Sequence, residues 1–294
     1  MIDLHTHTNL SDGTYTPAQL IEEAVALKLE ALAISDHDTL KGCDEAAPLA
    51  AAANLDFVPA IELSTHLEEG RKAGGRSVHV LGYFLLSPPS QEFRQWLKSV
   101  QEGRRDRNRR LVHKLQSLGL DITLEEVESL GRNLPGRPHF ARILLDKGYV
   151  SSIQEAFDVY LEEGKRAYVE REEVSLAEGI RRIAEAGGMP SLAHPIRIAN
   201  KSISELEQLI ERLLKQGLRA LEVYHSDHPR ELVDQYLALC QRWGMAVTGG
   251  SDFHGDTKPG VKLGTGRNGN LSIPRSLLDQ LRSSVRTRPC AAAL

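Results

Sequence analysis

The sequence predicts an α/β barrel carrying a helical insertion, and three observations carry that expectation. Short apolar runs alternate with amphipathic helical patterns over most of the chain, which implies a largely parallel sheet. Ligand-capable residues fall where those runs end, while residues 91–169 break the alternation with helical signals alone. At 294 residues the chain suits one barrel of about 250 residues plus an insertion.

The elements follow in order. Apolar runs at 2–4, 31–35, 57–61, 78–84, 190–193, 220–224 and 245–248 read as strands. Thr16-Pro17-Ala18-Gln19 opens a helix with a capping box and a proline at the first helical position. Another helix, at 175–186, stops at Gly187-Gly188. Helical signals at 110–118, 124–130, 139–147 and 153–161 follow one another without a clear strand. The expected division is therefore 1–90 for the first part of the barrel, 91–169 for the insertion and 170–294 for the second part. There is no internal repeat or low-complexity segment, and 291–294 reads as a frayed tail.

Composition limits the function classes. Hydrophobic residues make up 41% of the chain, enough for a core, and the formal net charge of -4 argues against a protein that coats nucleic acid electrostatically. A local basic patch can still hold a phosphorylated ligand. Cys43, Cys240 and Cys290 are too few and too scattered for a disulfide framework or a thiolate metal site, which suits a reducing compartment. No apolar run approaches membrane-spanning length. Removal of a leader peptide would take His5 and His7 with it, so an uncleaved, cytoplasmic chain is expected, with neither membrane nor obligate protein partner.

His5-Thr6-His7 is the first chemical signal. In extended backbone, side chains at i and i+2 share a face, so the two imidazoles can grip one metal ion. His5 follows the first strand, His37 the second, Glu62 the third and His194 the fifth, and Asp252 and His254 follow the seventh; His79 lies within the fourth. Chemistry in α/β barrels gathers at the carboxyl ends of strands, so these groups should converge on one mouth. With Asp12 the set becomes His5, His7, Asp12, His37, Glu62, His79, His194, Asp252 and His254. Nine ligands exceed the four or so of a zinc site or the six or so of an octahedral ion, so the set implies two or three metals. Asp36 and Asp38 flank His37 and either orient its imidazole or serve the loop. His66, His113, His225 and His228 read as surface or supporting residues.

Taken together, His5-Thr6-His7 with Ser11-Asp12-Gly13, Ser35-Asp36-His37-Asp38-Thr39, Ile61-Glu62-Leu63-Ser64, His79-Val80-Leu81-Gly82, Ala193-His194-Pro195 and Gly250-Ser251-Asp252-Phe253-His254 resemble the motifs of the polymerase and histidinol phosphatase (PHP) family. Within it, the Arg-rich segment of the insertion and Gly136-Arg137-Pro138-His139-Phe140-Ala141-Arg142 resemble the branch of nucleoside 3′,5′-bisphosphate phosphatases and 5′-to-3′ exoribonucleases. The resemblance implies a distorted (β/α)7 barrel and a trinuclear site, commonly manganese, with zinc or iron as alternatives. It implies that His5, His7, Glu62 and Asp252 hold one ion, Glu62, His79 and His194 a second, and Asp12, His37 and His254 the third.

Such ions lower the pKa of bound water and clamp phosphoryl oxygens, so the expected nucleophile is a metal-bound hydroxide held by Glu62, Asp12, His37 and His194, attacking in line. No general acid is legible, and His139 is only a candidate. Substrate choice is expected to depend on cations outside the cluster. Residues 104–110 hold five arginines, of which Arg104 and Arg107 share a helical face with Asn108 and continue into Leu111, Leu115 and Leu118, while Arg105 and Arg109 point elsewhere. Arg104, Arg107 and Asn108, with Arg137 and His139 at a helix start, are the expected phosphate contacts. The leading expectation is removal of the 3′-phosphate from a nucleoside 3′,5′-bisphosphate such as pAp, giving AMP and phosphate. Release of 5′-mononucleotides from short 5′-phosphorylated RNA uses the same cleavage. Histidinol phosphate hydrolysis and a non-catalytic metal-binding accessory module are further alternatives.

Overall fold

Seven strands pair in chain order to form the barrel sheet: β1 (Ile2–Asp3), β2 (Ala31–Ile34), β3 (Asp56–His66), β4 (Ser77–Tyr83), β5 (Met189–Leu192), β6 (Ala220–His225) and β7 (Ala246–Gly250). The computed structural model describes residues 1–67, 77–131, 135–169, 174–198 and 202–287; Cys290 and the tail at 291–294 lie outside them. The described residues fall into two compact units, 1–67, 77–94, 174–198 and 202–287 in one and 95–131 and 135–169 in the other.

β1, β2 and the start of β3 run parallel, as do β5, β6 and β7, but β4 is antiparallel to both of its neighbours. The sheet nearly closes past the ends of β1 and β7, where Asp252 N–H donates to the His5 carbonyl at 2.8 Å and His7 N–H to the Phe253 carbonyl at 2.9 Å. Glu62 does not follow the third strand, as its position after an apolar run suggested, but lies inside it. Residues 56–59 of β3 pair with β2, and 60–66 continue as a hairpin arm against β4, so the strand outlasts its apolar run.

The helices are α1 (Pro17–Ala26), α2 (Lys41–Ala52), α3 (Gln91–Ser117), α4 (Leu124–Gly131), α5 (Arg137–Asp146), α6 (Ile153–Ala156), α7 (Leu176–Glu185), α8 (Ile203–Leu214), α9 (Arg230–Trp243) and α10 (Arg275–Thr287). Thr16 and Gln19 cap α1 reciprocally behind Pro17, and α7 starts at Ser175, whose hydroxyl accepts the Glu178 N–H. A chain leaving that helix needs a left-handed residue, and Gly187 supplies it with φ +80°. Small and branched side chains, among them Ile2, Ala31, Ala33, Val58, Ala60 and Ala220, pack with Leu277, Leu278 and Leu281 of α10. Asp56, the first residue of β3, fixes that helix by accepting from both Arg275 and Arg282.

The second unit has its own core, in which Leu111 and Leu115 of α3 meet Val127, Phe140 and Leu144. Leu118 departs from the expected stripe and is 37% exposed, because α3 ends at Ser117 and the chain turns through Gly119 at φ +82°. The helix expected at 153–161 forms as α6 followed by a π turn over Phe157–Leu161.

Closure of the barrel depends on Gly250. A Cβ there would lie 2.2 Å from His5 N and 2.4 Å from His5 Cβ, so only a residue without a side chain lets β7 approach the His5 backbone. Gly250→Ala is expected to cost at least the ~1–3 kcal/mol of a forced backbone shift, read as a lower urea midpoint, and to displace His5.

Candidate metal centre

His5 and His7 stand on the extended segment after β1, which is pinned on one side to the Ser251–Phe253 segment and on the other to β2, where Thr6 Oγ1 donates to the Ala33 carbonyl at 2.7 Å. Alternation then turns both imidazoles inward, fully buried, with their Nε2 atoms 3.1 Å apart. Glu62 receives the rest of the set from the neighbouring strands. Its Oε1 lies 2.8 Å from both His79 and His194, and its Oε2 lies 3.0 Å from His7, 3.1 Å from His5 and 3.5 Å from His37. Asp252 Oδ1 stands 3.4 to 3.5 Å from His5, His7 and His254. Asp12, exposed at the edge, reaches His254 Nε2 at 3.2 Å and His37 Nε2 at 3.8 Å.

Three groups of donor atoms, each within 4.8 Å of one another, result: His5, His7, Glu62 and Asp252; His37, Glu62 and His79; and His7, Asp12, His37 and His254. All nine expected ligands are together in the barrel unit, with His194 joined through Glu62. The donors fit divalent cations. Two imidazole nitrogens at 3.1 Å set lone pair against lone pair unless a cation or proton lies between them, and His37 Nδ1 is buried without a hydrogen bond among the described residues. Imidazole and carboxylate without thiolate suit manganese, zinc or iron.

Electrostatics point the same way. Burial, helped by the nearby His254, pushes His7 down to about 3, and burial outweighs Glu62 in bringing His194 to about 4, so both rings are neutral and free to ligate. Burial also opposes the charged forms of Glu62 and His5, but here the neighbours win. His37, His5 and His79 hold the Glu62 carboxyl well below the usual carboxylate range, and Glu222, Glu62 and Asp252 hold His5 well above the usual imidazole range. Buried carboxylate charge thus demands positive charge at this point.

Backbone strain accompanies the ligands: His194 has φ +25° and Asp252 φ +57°, conformations that L-residues rarely adopt. Glu222 of β6 helps hold the first of these. Its Oε2 accepts the His194 N–H and its Oε1 the His5 Nδ1–H, both at 2.7 Å, leaving His5 Nε2 for a metal. Asp3, buried beneath them, accepts from the backbone of His5, Ser251 and Gly264.

Sequence reasoning missed Glu222, although a glutamate in a buried parallel strand is itself a signal. It also missed Arg197, three residues after His194, and Lys258, four after His254. His225 and His228 are buried, not superficial: His225 Nδ1 accepts the Asp227 N–H, so its Nε2–H donates to Asp252 Oδ2 at 3.3 Å. His66 is also buried and contacts the Val174 carbonyl, while His113 is exposed. Asp36 does not orient His37. Its oxygens accept from Thr8 N–H, Thr8 Oγ1 and Ser11 Oγ, and thereby shape the loop carrying Asp12. Asp38 accepts the Ser64 N–H at 2.8 Å.

The expected substrate contacts lie in the second unit. Arg107 and Asn108 are buried there and Arg104 is half-buried, whereas Arg105 and Arg109 are exposed, which is the division that helical spacing predicts. Asn108 Nδ2 donates to the Pro135 carbonyl at 2.9 Å. Arg137 opens α5, and His139 Nδ1 accepts the Gly136 N–H at 3.0 Å as part of its amino-terminal turn.

Comparison with known proteins agrees with this architecture. A model of the PHP domain matches residues 3–173. The chain is 32% identical to a 3′,5′-nucleoside bisphosphate phosphatase of Chromobacterium violaceum, covering 90% of each chain. It is 31% identical to the 5′-3′ exoribonuclease Rnm of Escherichia coli, covering 89% of this chain and 87% of the relative. A crystal structure from Bifidobacterium adolescentis, provisionally described as a metal-dependent phosphoesterase, superposes with a TM-score of 0.74 at 31% identity over 96% of both chains. The chain belongs to the PHP family.

Glu222→Gln is expected to weaken metal retention by about 10- to 100-fold, measured by chelator competition, because the amide still fills the space but no longer orders His5 by charge. Unchanged metal affinity would reduce Glu222 to a packing residue.

Proposed function

We propose that this phosphoester hydrolase removes the 3′-phosphate of nucleoside 3′,5′-bisphosphates, converting pAp to AMP and phosphate. The observation that carries the reading is the gathering of all nine expected donors, Glu62 among them, in a chain similar over nine-tenths of its length to a nucleoside bisphosphate phosphatase. Three divalent ions, manganese by preference and zinc or iron as alternatives, are proposed for the three donor groups, where such ions lower the pKa of water and neutralise phosphoryl charge.

The protein's own part is positional. His5 and His7 with Asp252, His79 and His194 with Glu62, and Asp12 with His37 and His254 present nitrogens and ionised oxygens in fixed directions, so little reorganisation remains for the reaction. Arg104, Arg107, Asn108, Arg137 and His139 are proposed to hold the 5′-phosphate, guanidinium forks being suited to its oxygens. A chain that recognises a 5′-phosphate and cleaves the neighbouring P–O3′ bond also accepts 5′-phosphorylated RNA. Similarity to the Rnm exoribonuclease supports that second reading. Two buried, free cysteines, Cys43 and Cys240, are consistent with a reducing, cytoplasmic setting. Among the described residues no helix is long and apolar enough to cross a membrane.

Manganese-dependent phosphate release from pAp, compared with mononucleotide release from a short 5′-phosphorylated RNA, tests the proposal; faster turnover of pAp is expected, and no turnover of either with metal loaded would overturn it. His7→Ala and Asp252→Ala should each abolish turnover at saturating manganese. Arg104→Ala and Arg137→Ala should lose more activity on pAp than on a phosphomonoester lacking the second phosphate, whereas equal losses would assign the arginines to structure.

A further inference from the structure

Asp252 divides its two oxygens between different partners. Oδ1 faces the ligand cluster, but Oδ2 accepts from three donors at once: Lys258 Nζ at 2.7 Å, Arg197 Nη2 at 2.8 Å and His225 Nε2 at 3.3 Å. The network continues outward. Arg197 Nη2 also donates to Asp227 Oδ2 at 2.7 Å, and Arg267 Nη2 donates to Asp227 Oδ1 at 3.3 Å. Three cations therefore alternate with two carboxylates along one side of the cluster, and one of those carboxylates is already turned toward the metal ligands.

Donor bookkeeping shows a surplus. A guanidinium has five N–H donors, yet Arg197 uses Nη2 alone among the described residues, and Lys258 uses one of its three. The two side chains are 38% and 30% exposed, so neither is sealed off beside the buried cluster. Two cationic heads on one carboxylate oxygen make a poor design for stability alone, since the second gains little from a charge already neutralised. They make a good design for an anion.

We infer that Arg197 and Lys258 form the clamp for the phosphoryl group under attack. Asp252 gathers both heads at the edge of the cluster, Asp227 with Arg267 steadies the outer side of Arg197, and the spare donors take the nonbridging oxygens of the phosphate. Arg197 offers the Nε and Nη1 donors that its two carboxylate partners leave over, and Lys258 a compact charge. This inference rests on the phosphoester-hydrolase reading and gives the cations separate roles, with Arg197 and Lys258 on the reacting phosphoryl group and Arg104 and Arg137 on the retained phosphate.

Inorganic phosphate is the probe. Its binding to the manganese-loaded protein is measured by calorimetry, and its inhibition constant is measured against pAp and phenyl phosphate, for the wild type, Arg197→Gln, Arg197→Lys and Lys258→Met. Metal content and melting temperature are determined on the same samples. Arg197→Gln and Lys258→Met are expected to weaken phosphate binding by about tenfold each and to lower kcat/KM on the order of 100-fold, with metal content unchanged. Arg197→Lys should recover part of the binding. Phosphate affinity that is unchanged, or that falls only in step with lost metal, overturns the inference. If Arg197→Gln does not fold, Lys258→Met carries the same measurement alone. Wild type that binds phosphate through Arg197 without cleaving pAp would refute the substrate proposal and leave the clamp standing; cleavage of pAp with phosphate binding indifferent to both cations would do the reverse.

Discussion

Five imidazoles converge on the buried carboxylate of Glu62, and the barrel is arranged to make that possible. His5 and His7 come from the segment after β1, His37 from the loop after β2, His79 from β4 and His194 from the end of β5, all within 3.5 Å of one glutamate oxygen or the other. A carboxylate buried this deeply is costly unless positive charge or strong donors surround it. Nothing in an apolar core supplies them, so residues from four places in the chain must be held there by backbone hydrogen bonds and by buried supports such as Glu222 and Asp3. The strained backbone at His194 and Asp252 is a second cost of the same arrangement.

The hairpin of β3 and β4 is the departure from an all-parallel barrel that this convergence uses. Antiparallel pairing places Glu62 opposite Leu81 and Ser64 opposite His79, so the Glu62 and His79 side chains lie two residues apart across the ladder and point to the same face. A parallel crossover would have moved that imidazole to another strand end. Closure beyond β1 and β7 brings the amino terminus against Asp252 and His254 in the same way, through the narrow approach that Gly250 permits.

Asp252 links the cluster to its surroundings. One oxygen belongs to the donor cluster and the other to a network of Arg197, Lys258 and His225, so charge at the centre and charge at the rim are coupled through a single carboxylate. Charges fixed before reaction are the kind of preorganisation on which hydrolysis of a phosphoester draws. The arginines at 104–110 of α3 belong to another unit with its own core, where Arg107 and Asn108 are buried on the face that helical spacing assigns to them.

Local rules made much of this legible in sequence. Alternation of side chains in extended backbone put His5 and His7 on one face, strand ends located His37, His194, Asp252 and His254, and residue spacing in α3 separated Arg104, Arg107 and Asn108 from Arg105 and Arg109. Each of these depends on geometry repeated every two residues or every turn, so the sequence by itself determined the strand order of donors, their residue types and the helical character of the insertion. What joined them was decided only by the tertiary structure: the run-on of β3 that put Glu62 inside a strand, the support of His5 and His194 by Glu222, the diversion of Asp36 to Thr8 and Ser11, and the meeting of Arg197 and Lys258 on Asp252. Those depend on which distant segments come within hydrogen-bonding reach and on how completely water is excluded, and no periodicity in the chain encodes either.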